Sequence, residues 1–444
     1  MELKRQLGLA SAILIIIADI IGTGIFVTTG SVLGMTGNSA IVLCLWIVGG
    51  LVAVTGALCY AELATMWPDD GGEYIYLKKI YGYLPSFLTG WVSLTVGFTA
   101  SVAITALTLV WYLNEFWSGG ILASSLAQKT AASIFIVFFG LLHILGVKRG
   151  GFVQNALTII KLAIVFSLII FGFAYIDWNF TSRLTYTAAA NESVGLGTYG
   201  LSLLIIMFAY SGWNGVSYIA GEIKNPQKNL PRSMFFGTLA VVIIYALLNI
   251  VFIMSSPSEQ ISGSHIVAAI ASANLFGNTA ASLLILGIAL VLVSSVSVQM
   301  MVGPRVYYAM AKDKLTFAKL ANVHPTFGTP YLAILVQMII ALIYIFIGKD
   351  HIEMLLVYMG FSLGIFPLMA VIGLVIMRFK APEIERPFKV PLFPLVPAIY
   401  ILLTIGMMVA SLIMWTETSL TALGVLSVGV VIYYIWRHFT KEKN

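Results

Sequence analysis

Ile20-Ile21-Gly22-Thr23-Gly24-Ile25-Phe26 interrupts an apolar run that extends from Leu7 to Leu33. The run is long enough to cross a bilayer as a helix. Two glycines around a threonine weaken helix at its centre and let the backbone unwind. Unwound backbone survives at bilayer depth only where it lines a cavity, because each unsatisfied N–H or C=O facing lipid costs several kcal/mol. A second interruption lies at Tyr210-Ser211-Gly212-Trp213-Asn214-Gly215. Two interrupted helices in corresponding halves of a chain point to the substrate site of a secondary transporter. Either break alone says less. A Gly-Thr-Gly pattern also marks close helix packing, and Trp and Asn in a span also serve as interfacial anchor and helix glue.

The composition agrees with a lipid solvent. Of the 444 residues, 60% are hydrophobic and 9% charged, and the mean hydropathy is +0.99; an ordinary soluble domain is about a quarter charged. The long apolar runs read as an all-α polytopic membrane protein, one transmembrane domain over residues 1–444. Twelve transmembrane helices are expected, at about 8–33, 39–66, 84–113, 129–147, 153–175, 197–221, 233–255, 280–310, 330–347, 352–377, 395–415 and 419–437. The first run is longer than a signal-peptide core and no small-residue cleavage site follows it, so it reads as the first span.

With the N-terminus inside, 20 of the 24 Lys and Arg fall on the cytoplasmic side. Lys129, Arg183 and Lys349 fall outside and Lys161 lies within a span. This asymmetry satisfies the positive-inside rule, predicts cytoplasmic N- and C-termini, and explains the net charge without a nucleic-acid partner. Cys44 and Cys59 lie on one predicted helix, roughly 22 Å apart at 1.5 Å per residue, and cannot pair. The five histidines fall in loops or near helix ends, with no metal-ligand cluster. No cofactor or metal is expected. A channel would need a sustained polar stripe, and a membrane enzyme a nucleophile or metal constellation; the sequence shows neither.

Charge inside a bilayer costs at least ~2.5 kcal/mol, so intramembrane ionisable residues are functional candidates. Lys161, about two turns into helix 5, can donate three hydrogen bonds to freed carbonyls of helix 1 and to a helix 8 hydroxyl. Alternatively it carries a proton, or snorkels to the interface. Asp19, one turn before the first break, could pair with Lys161, take a proton, attract a cationic substrate group, or stay neutral against a neighbouring helix. Glu62 reads as interfacial, since Trp67-Pro68-Asp69-Asp70-Gly71-Gly72 closes helix 2 just beyond it.

An unwound helix exposes N–H groups on one half and C=O groups on the other, a receptor for carboxylate and ammonium respectively. An α-amino acid zwitterion carries both charges. Ile21, Gly22, Thr23, Gly24 and Ile25 form the helix 1 part of this candidate site: amides of Thr23, Gly24 and Ile25 face the carboxylate, and the Ile20 and Ile21 carbonyls face the ammonium. In helix 6 the Phe208 and Ser211 carbonyls face the ammonium from the other side. Phe208 and Trp213 cap the pocket, and Asn214 bonds substrate or pins the loop.

Ile20 to Val27 resembles the helix 1 signature of the amino acid–polyamine–organocation superfamily, in its L-type amino acid transporter branch. Phe208 to Asn214, Gly221 to Pro226, Asn229 to Arg232, Ser294-Ser295, Arg305 to Asp313 and Glu385 to Pro391 resemble further segments of that branch, in order along the chain. The resemblance implies the LeuT-type 5+5 inverted repeat, at about 8–175 and 197–377, with helices 1 and 6 broken and two further helices at 395–437. It implies sodium-independent amino acid exchange at a plasma (inner) membrane, of small or medium neutral L-amino acids. Gly22, Thr23 and Gly24 match the substrate-binding segment, Phe208 the aromatic gate, and Ser211, Trp213 and Asn214 the pocket wall. Lys161 matches a lysine that takes the place of a sodium ion, near Ser294 or Ser295. Asp19 departs from the family pattern; proton-coupled symport and an amine or polyamine carrier using Asp19 are the alternatives. The segment from Asn114 to Lys129 lacks the cysteine by which animal L-type carriers join a heavy subunit, so no disulfide-linked subunit is expected and the partners are amino acid and bilayer.

Overall fold

The computed structural model describes residues 3–117, 120, 122–176, 178, 194–264, 266–347 and 352–441, with backbone alone at 115, 278, 280, 352–359, 440 and 441. Arg183, His265, Lys349, His351 and Lys443 lie outside the described residues.

The chain is a succession of helices: α1 (Leu9–Ile20), α2 (Gly24–Thr36), α3 (Ser39–Met66), α4 (Glu73–Tyr81), α5 (Tyr83–Val92), a π-turn at Ser93–Gly97, α6 (Thr99–Phe116), α7 (Ser125–Ile144) and α8 (Val147–Tyr175). The second half holds α9 (Leu196–Ala209), a 3₁₀ segment at Gly215–Glu222, α10 (Pro226–Ser255), α11 (Ser258–Ile261), α12 (Val267–Phe276), α13 (Asn278–Val302), α14 (Pro304–Lys312), α15 (Tyr331–Ile347), α16 (Ile352–Lys380), α17 (Leu395–Met414) and α18 (Thr416–Lys441). Among the described residues nine helices are long and apolar enough to cross a membrane, and α1 with α2, bent by 40° at their break, makes a tenth. The protein is a multi-pass α-helical membrane protein. Each expected span falls on helix, but α9 and α15 are short apolar helices, and the expected sixth span stops being α-helical at Ala209.

Local chemistry sets the boundaries. Gly37 takes the left-handed conformation that ends α2, and the Asn38 side chain accepts from the Ile41 amide to start α3. Pro226 opens α10, where its missing N–H loses nothing. Not foreseen from sequence were the non-spanning helices α4, α11 and α12. The Gly71 and Gly72 pair, at φ +121° and +54°, turns the chain between α3 and α4.

Burial is distributed as lipid demands. Large apolar side chains such as Ile47, Phe152, Ile170 and Leu402 are exposed, while Lys161, Glu62, Glu222 and Arg305 are buried. Glu62, expected near the inner end of helix 2, is fully buried within the protein and has long-range partners the local reading did not give. Its two oxygens accept from Arg378 Nε (2.7 Å) and Arg378 Nη2 (2.5 Å), and Oε2 also accepts from the Val390 amide (2.7 Å). Arg386 Nε adds an ion pair at 3.3 Å. The carboxylate therefore clamps α3 to the end of α16 and the segment after it. Those partners lie more than 300 residues away in sequence, which is why the local reading missed them.

Candidate functional site

The two breaks lie side by side, bonded by side chains of α10 and α13. At the first, the Ile21 amide makes the last helical bond of α1, to Ile17 O. The Phe26 amide turns back on Thr23 O (3.1 Å) at the start of α2. Among the described residues the Thr23, Gly24 and Ile25 amides donate to no other group, so the N-terminus of α2 keeps the open donors expected of it. At the second break, Tyr210 ends α9, Gly212 takes φ +102°, and the chain resumes as 3₁₀ helix at Gly215. Gly24 is required by packing: a Cβ there would stand 2.5 Å from Ala209 Cα, so the two broken helices touch backbone to backbone.

The freed carbonyls correct the expected ammonium site. Ile21 O accepts from Lys161 Nζ (2.5 Å) and Ser295 Oγ (3.0 Å). Ile20 O accepts from the Tyr245 hydroxyl (2.8 Å), which also reaches Ala209 O (3.1 Å). Phe208 O accepts from the Ser211 amide (3.0 Å). Side chains of the surrounding helices thus satisfy the Ile20 and Ile21 carbonyls, as buried backbone requires.

Lys161 is fully buried, and its three donors go to Ala18 O (2.9 Å), Ile21 O and Ser295 Oγ (2.9 Å). It ties α8 to the end of α1 and to α13. Ser294 does not share this role: its hydroxyl and carbonyl accept from Gln154 Nε2 at 3.1 and 3.3 Å. Among the described residues no three His, Cys, Asp or Glu side chains converge on a point that could hold a metal ion.

A cavity of about 130 Å³ lies beside the breaks. Phe208, Ser211, Trp213 and Asn214 line it, with Met207 and Gly212. From helix 1 its wall takes Asp19, and not Ile21, Gly22, Thr23, Gly24 or Ile25. Ile21 and Ile25 are core residues. Trp213 is a wall and not a lid, its ring held edge-on between Tyr60 (4.8 Å) and Tyr400 (5.9 Å). Asn214 pins the loop: its Nδ2 donates to Glu73 Oε1 (2.7 Å) and to the Tyr218 hydroxyl (3.2 Å), and that hydroxyl donates to Glu73 Oε2.

Sequence reasoning missed the rest of the wall. Glu73, on the first turn of α4, reaches the cavity because the Gly71-Gly72 turn carries it there, and that glycine pair is the signal that could have found it. Ser93 and Gly97 come from a π-turn, a form common at functional sites. Gln299, Tyr400 and Thr404 bear no local mark. Nearer the N-terminal end of the chain, Asp70 Oδ1 accepts from the Gly221 amide (3.0 Å) beside the buried Arg305–Glu222 pair (2.8 Å). Burial pushes the Asp70 carboxyl up to about 8, with the Glu222 charge adding to the shift and Arg305 opposing it.

Residues 7–435 match the family model for amino acid permeases. The chain belongs to the amino acid permease family. It is 34% identical over 440 residues to the serine/threonine exchanger SteT of Bacillus subtilis, covering 97% of each chain. It is 32% identical over 442 residues to the mouse b(0,+)-type amino acid transporter 1, covering 99% of this chain and 89% of that one. To the mouse large neutral amino acids transporter small subunit 2 it is 31% identical over 449 residues, covering 100% of this chain and 83% of that one.

Proposed function

We propose that this permease is a sodium-independent exchanger of small and medium neutral L-amino acids, working by alternating access in a plasma membrane. The reading takes twelve spans, inverted repeats at about 8–175 and 197–377 with two further helices at 395–437, and cytoplasmic termini. It needs no disulfide-linked subunit. The single observation that carries it is a cavity lined by the second break and by Asp19 at the end of α1, with the Lys161 ammonium fixed at the first break beside it. A relative named as a serine/threonine exchanger supports exchange and small substrates.

The substrate carboxylate goes to the open amides of Thr23, Gly24 and Ile25 at the start of α2, which stand outside the cavity wall in this structure and must open onto it as substrate enters, and the helix dipole adds to the donors. Its ammonium faces the end of α9, near the Phe208 and Ser211 carbonyls. The side chain runs past Phe208 toward Leu204, Leu363 and Met407, the apolar side of the cavity. A fixed cation at Lys161 leaves no role for sodium at the break. No covalent step is involved.

The test is uptake of labelled serine, alanine and leucine into proteoliposomes of the purified protein. Uptake into vesicles loaded with unlabelled amino acid, and not into empty ones, is the expected result. Uptake into empty vesicles that rises with an inward proton gradient would replace exchange by proton symport.

A further inference from the structure

A second cavity, of about 310 Å³, shares no wall residue with the one beside the breaks. Its cations come from three separate elements. The N-terminal segment brings Arg5, the last turn of α4 brings Lys78 and Lys79, and the end of α14 brings Lys312. Asp69, Asp70 and Asp313 share the wall, and two of these acids are already engaged. Asp313 Oδ1 takes the Lys78 ammonium (2.5 Å), and its Oδ2 accepts from the Tyr74 hydroxyl (2.6 Å). Asp70 Oδ1 accepts from the Gly221 amide (3.0 Å), and its carboxyl, pushed up to about 8 by burial, is chiefly protonated at neutral pH. Arg5, Lys79 and Lys312 form no ion pair within 4 Å among the described residues. The Lys312 ammonium stands over the Tyr308 ring, 5.6 Å from its centre. Three unpaired cations thus face Asp69 alone.

The sign of the occupant follows from this arrangement. A bound cation needs acids gathered around it, and among the described residues no three acidic, His or Cys side chains converge on a point. An anion meets guanidinium and ammonium donors around a space large enough for a phosphate group and part of what bears it. Phosphate has oxygens enough to accept from Arg5, Lys79 and Lys312 together, where a carboxylate has two. The backbone beside Arg5 is fixed in advance: the Gln6 and Leu7 amides both donate to Glu222 O (2.8 and 3.0 Å), and the Lys224 amide donates to Leu7 O (2.8 Å).

We propose that this recess binds a phosphate-bearing anion, held by Arg5, Lys79 and Lys312 and linking the N-terminal segment to α4 and α14. A lipid headgroup and a free phosphate offer the same chemistry, and the experiment separates them. The site is independent of the substrate cavity and of what that cavity carries.

The detergent-solubilised full chain is melted in inorganic phosphate or in chloride at matched ionic strength. Its binding of phosphatidic acid against phosphatidylcholine is counted by native mass spectrometry. The test variant is Lys79→Gln/Lys312→Gln. The control is Lys148→Gln/Lys319→Gln, which removes two exposed charges that do not line the recess. Inorganic phosphate should raise the wild-type melting temperature above the chloride value. The concentration giving half the rise should increase about tenfold or more in the test variant, through loss of two charge-assisted bonds, and by less than about twofold in the control. A phosphate response without preference for phosphatidic acid supports the site and assigns it to a soluble ligand. Preference for phosphatidic acid that the test variant loses, without a phosphate response, supports the site and assigns it to a headgroup. No response to either probe overturns the proposal, as does a response that the test variant keeps or that both variants lose equally. Both test lysines are exposed, and where that variant still fails to fold, Arg5→Gln on the same wall takes its place with the same expected loss.

Discussion

Replacing Lys161 by methionine keeps the length and apolar stem of the side chain and removes all three donors. Ala18 O then has no partner in place of the 2.9 Å bond. Ile21 O keeps the Ser295 hydroxyl at 3.0 Å, so its loss is partial. An orphaned buried carbonyl costs ~1–3 kcal/mol and a charge-assisted bond contributes ~1.5–3 kcal/mol. Relief of the buried ammonium's desolvation offsets part of this. The net loss is ~2–4 kcal/mol, about 30- to 700-fold in the equilibrium that holds the break of helix 1 in place. Thermal melting of the detergent-solubilised protein, followed by size-exclusion chromatography, reads the stability; serine exchange in proteoliposomes reads the function. Lys161→Met should melt well below the wild type and exchange poorly. Lys161→Arg should recover only part of the melting temperature, because a planar guanidinium cannot aim three protons from one atom at acceptors around it. Wild-type melting and wild-type exchange in Lys161→Met would refute the account of Lys161 as the strut of the first break.

Four further outcomes are expected. Tyr245→Phe removes the hydroxyl shared by Ile20 O and Ala209 O while the ring keeps its packing on Trp46 (5.3 Å) and Tyr210 (5.1 Å); it should cost ~1–3 kcal/mol, with exchange unchanged counting against a joint role for the two breaks. Gly24→Ala puts a methyl 2.5 Å from Ala209 Cα, so the helices must separate; a cost of ~1–3 kcal/mol in melting and a loss of exchange are expected, and a fully active variant contradicts the close contact. Phe208→Ala should raise the KM for serine by about 10- to 100-fold, the loss of one aromatic contact; an unchanged KM removes Phe208 from the gate. Asp70, with its carboxyl raised from 3.8 to about 8, binds more protons folded than unfolded between those values, so its stability contribution is complete below about pH 4 and is lost as pH rises toward 8. Melting followed from pH 5 to pH 9 should therefore fall more steeply in the wild type than in Asp70→Asn, and equal slopes would remove Asp70 as the titrating group.

The features legible in the sequence are those whose physics is local. Gly22, Gly24 and Gly212 mark the breaks because glycine weakens helix wherever it stands; the backbone leaves helix at Gly22 and Gly212, and helix restarts at Gly24. Lys161 stood out because an intramembrane charge demands partners, and the expected partners, freed carbonyls of helix 1 and a helix 8 hydroxyl, are the ones it has. What failed were statements about who satisfies whom at long range. The Ile20 and Ile21 carbonyls were assigned to substrate because nothing near them in sequence could claim them. Tyr245, the donor that claims Ile20, lies 225 residues away and looks like any aromatic in a span. The partner of Glu62 is equally out of reach of a local reading, its Arg378 lying 316 residues away. The cavity wall mixes one residue of α4, a π-turn of helix 3 and two polar residues of α17, and no local pattern predicts that meeting.

These long-range bonds also decide how the site can move. Lys161 and Ser295 bind the end of α1 to α8 and α13, and one Tyr245 hydroxyl joins that end to the end of α9. The segments beyond the breaks are held differently. The α2 segment is tied outward through Gly30 O to the Gly263 amide (2.8 Å), and the 3₁₀ segment through the Gly221 amide to Asp70 and through Asn214 to Glu73. The first set of bonds is buried among helices around Lys161, whereas the second mixes buried bonds, Thr29 Oγ1 to Asn249 Oδ1 (2.6 Å) and Glu222 to Arg305 (2.8 Å), with contacts to loops and to a short helix, the elements that open at low cost. Alternating access in this permease therefore should not shear the two breaks apart. On the proposed mechanism the ends of α1 and α9 are expected to move as one unit, and the loop contacts beyond them to exchange as the cavity opens to one side or the other.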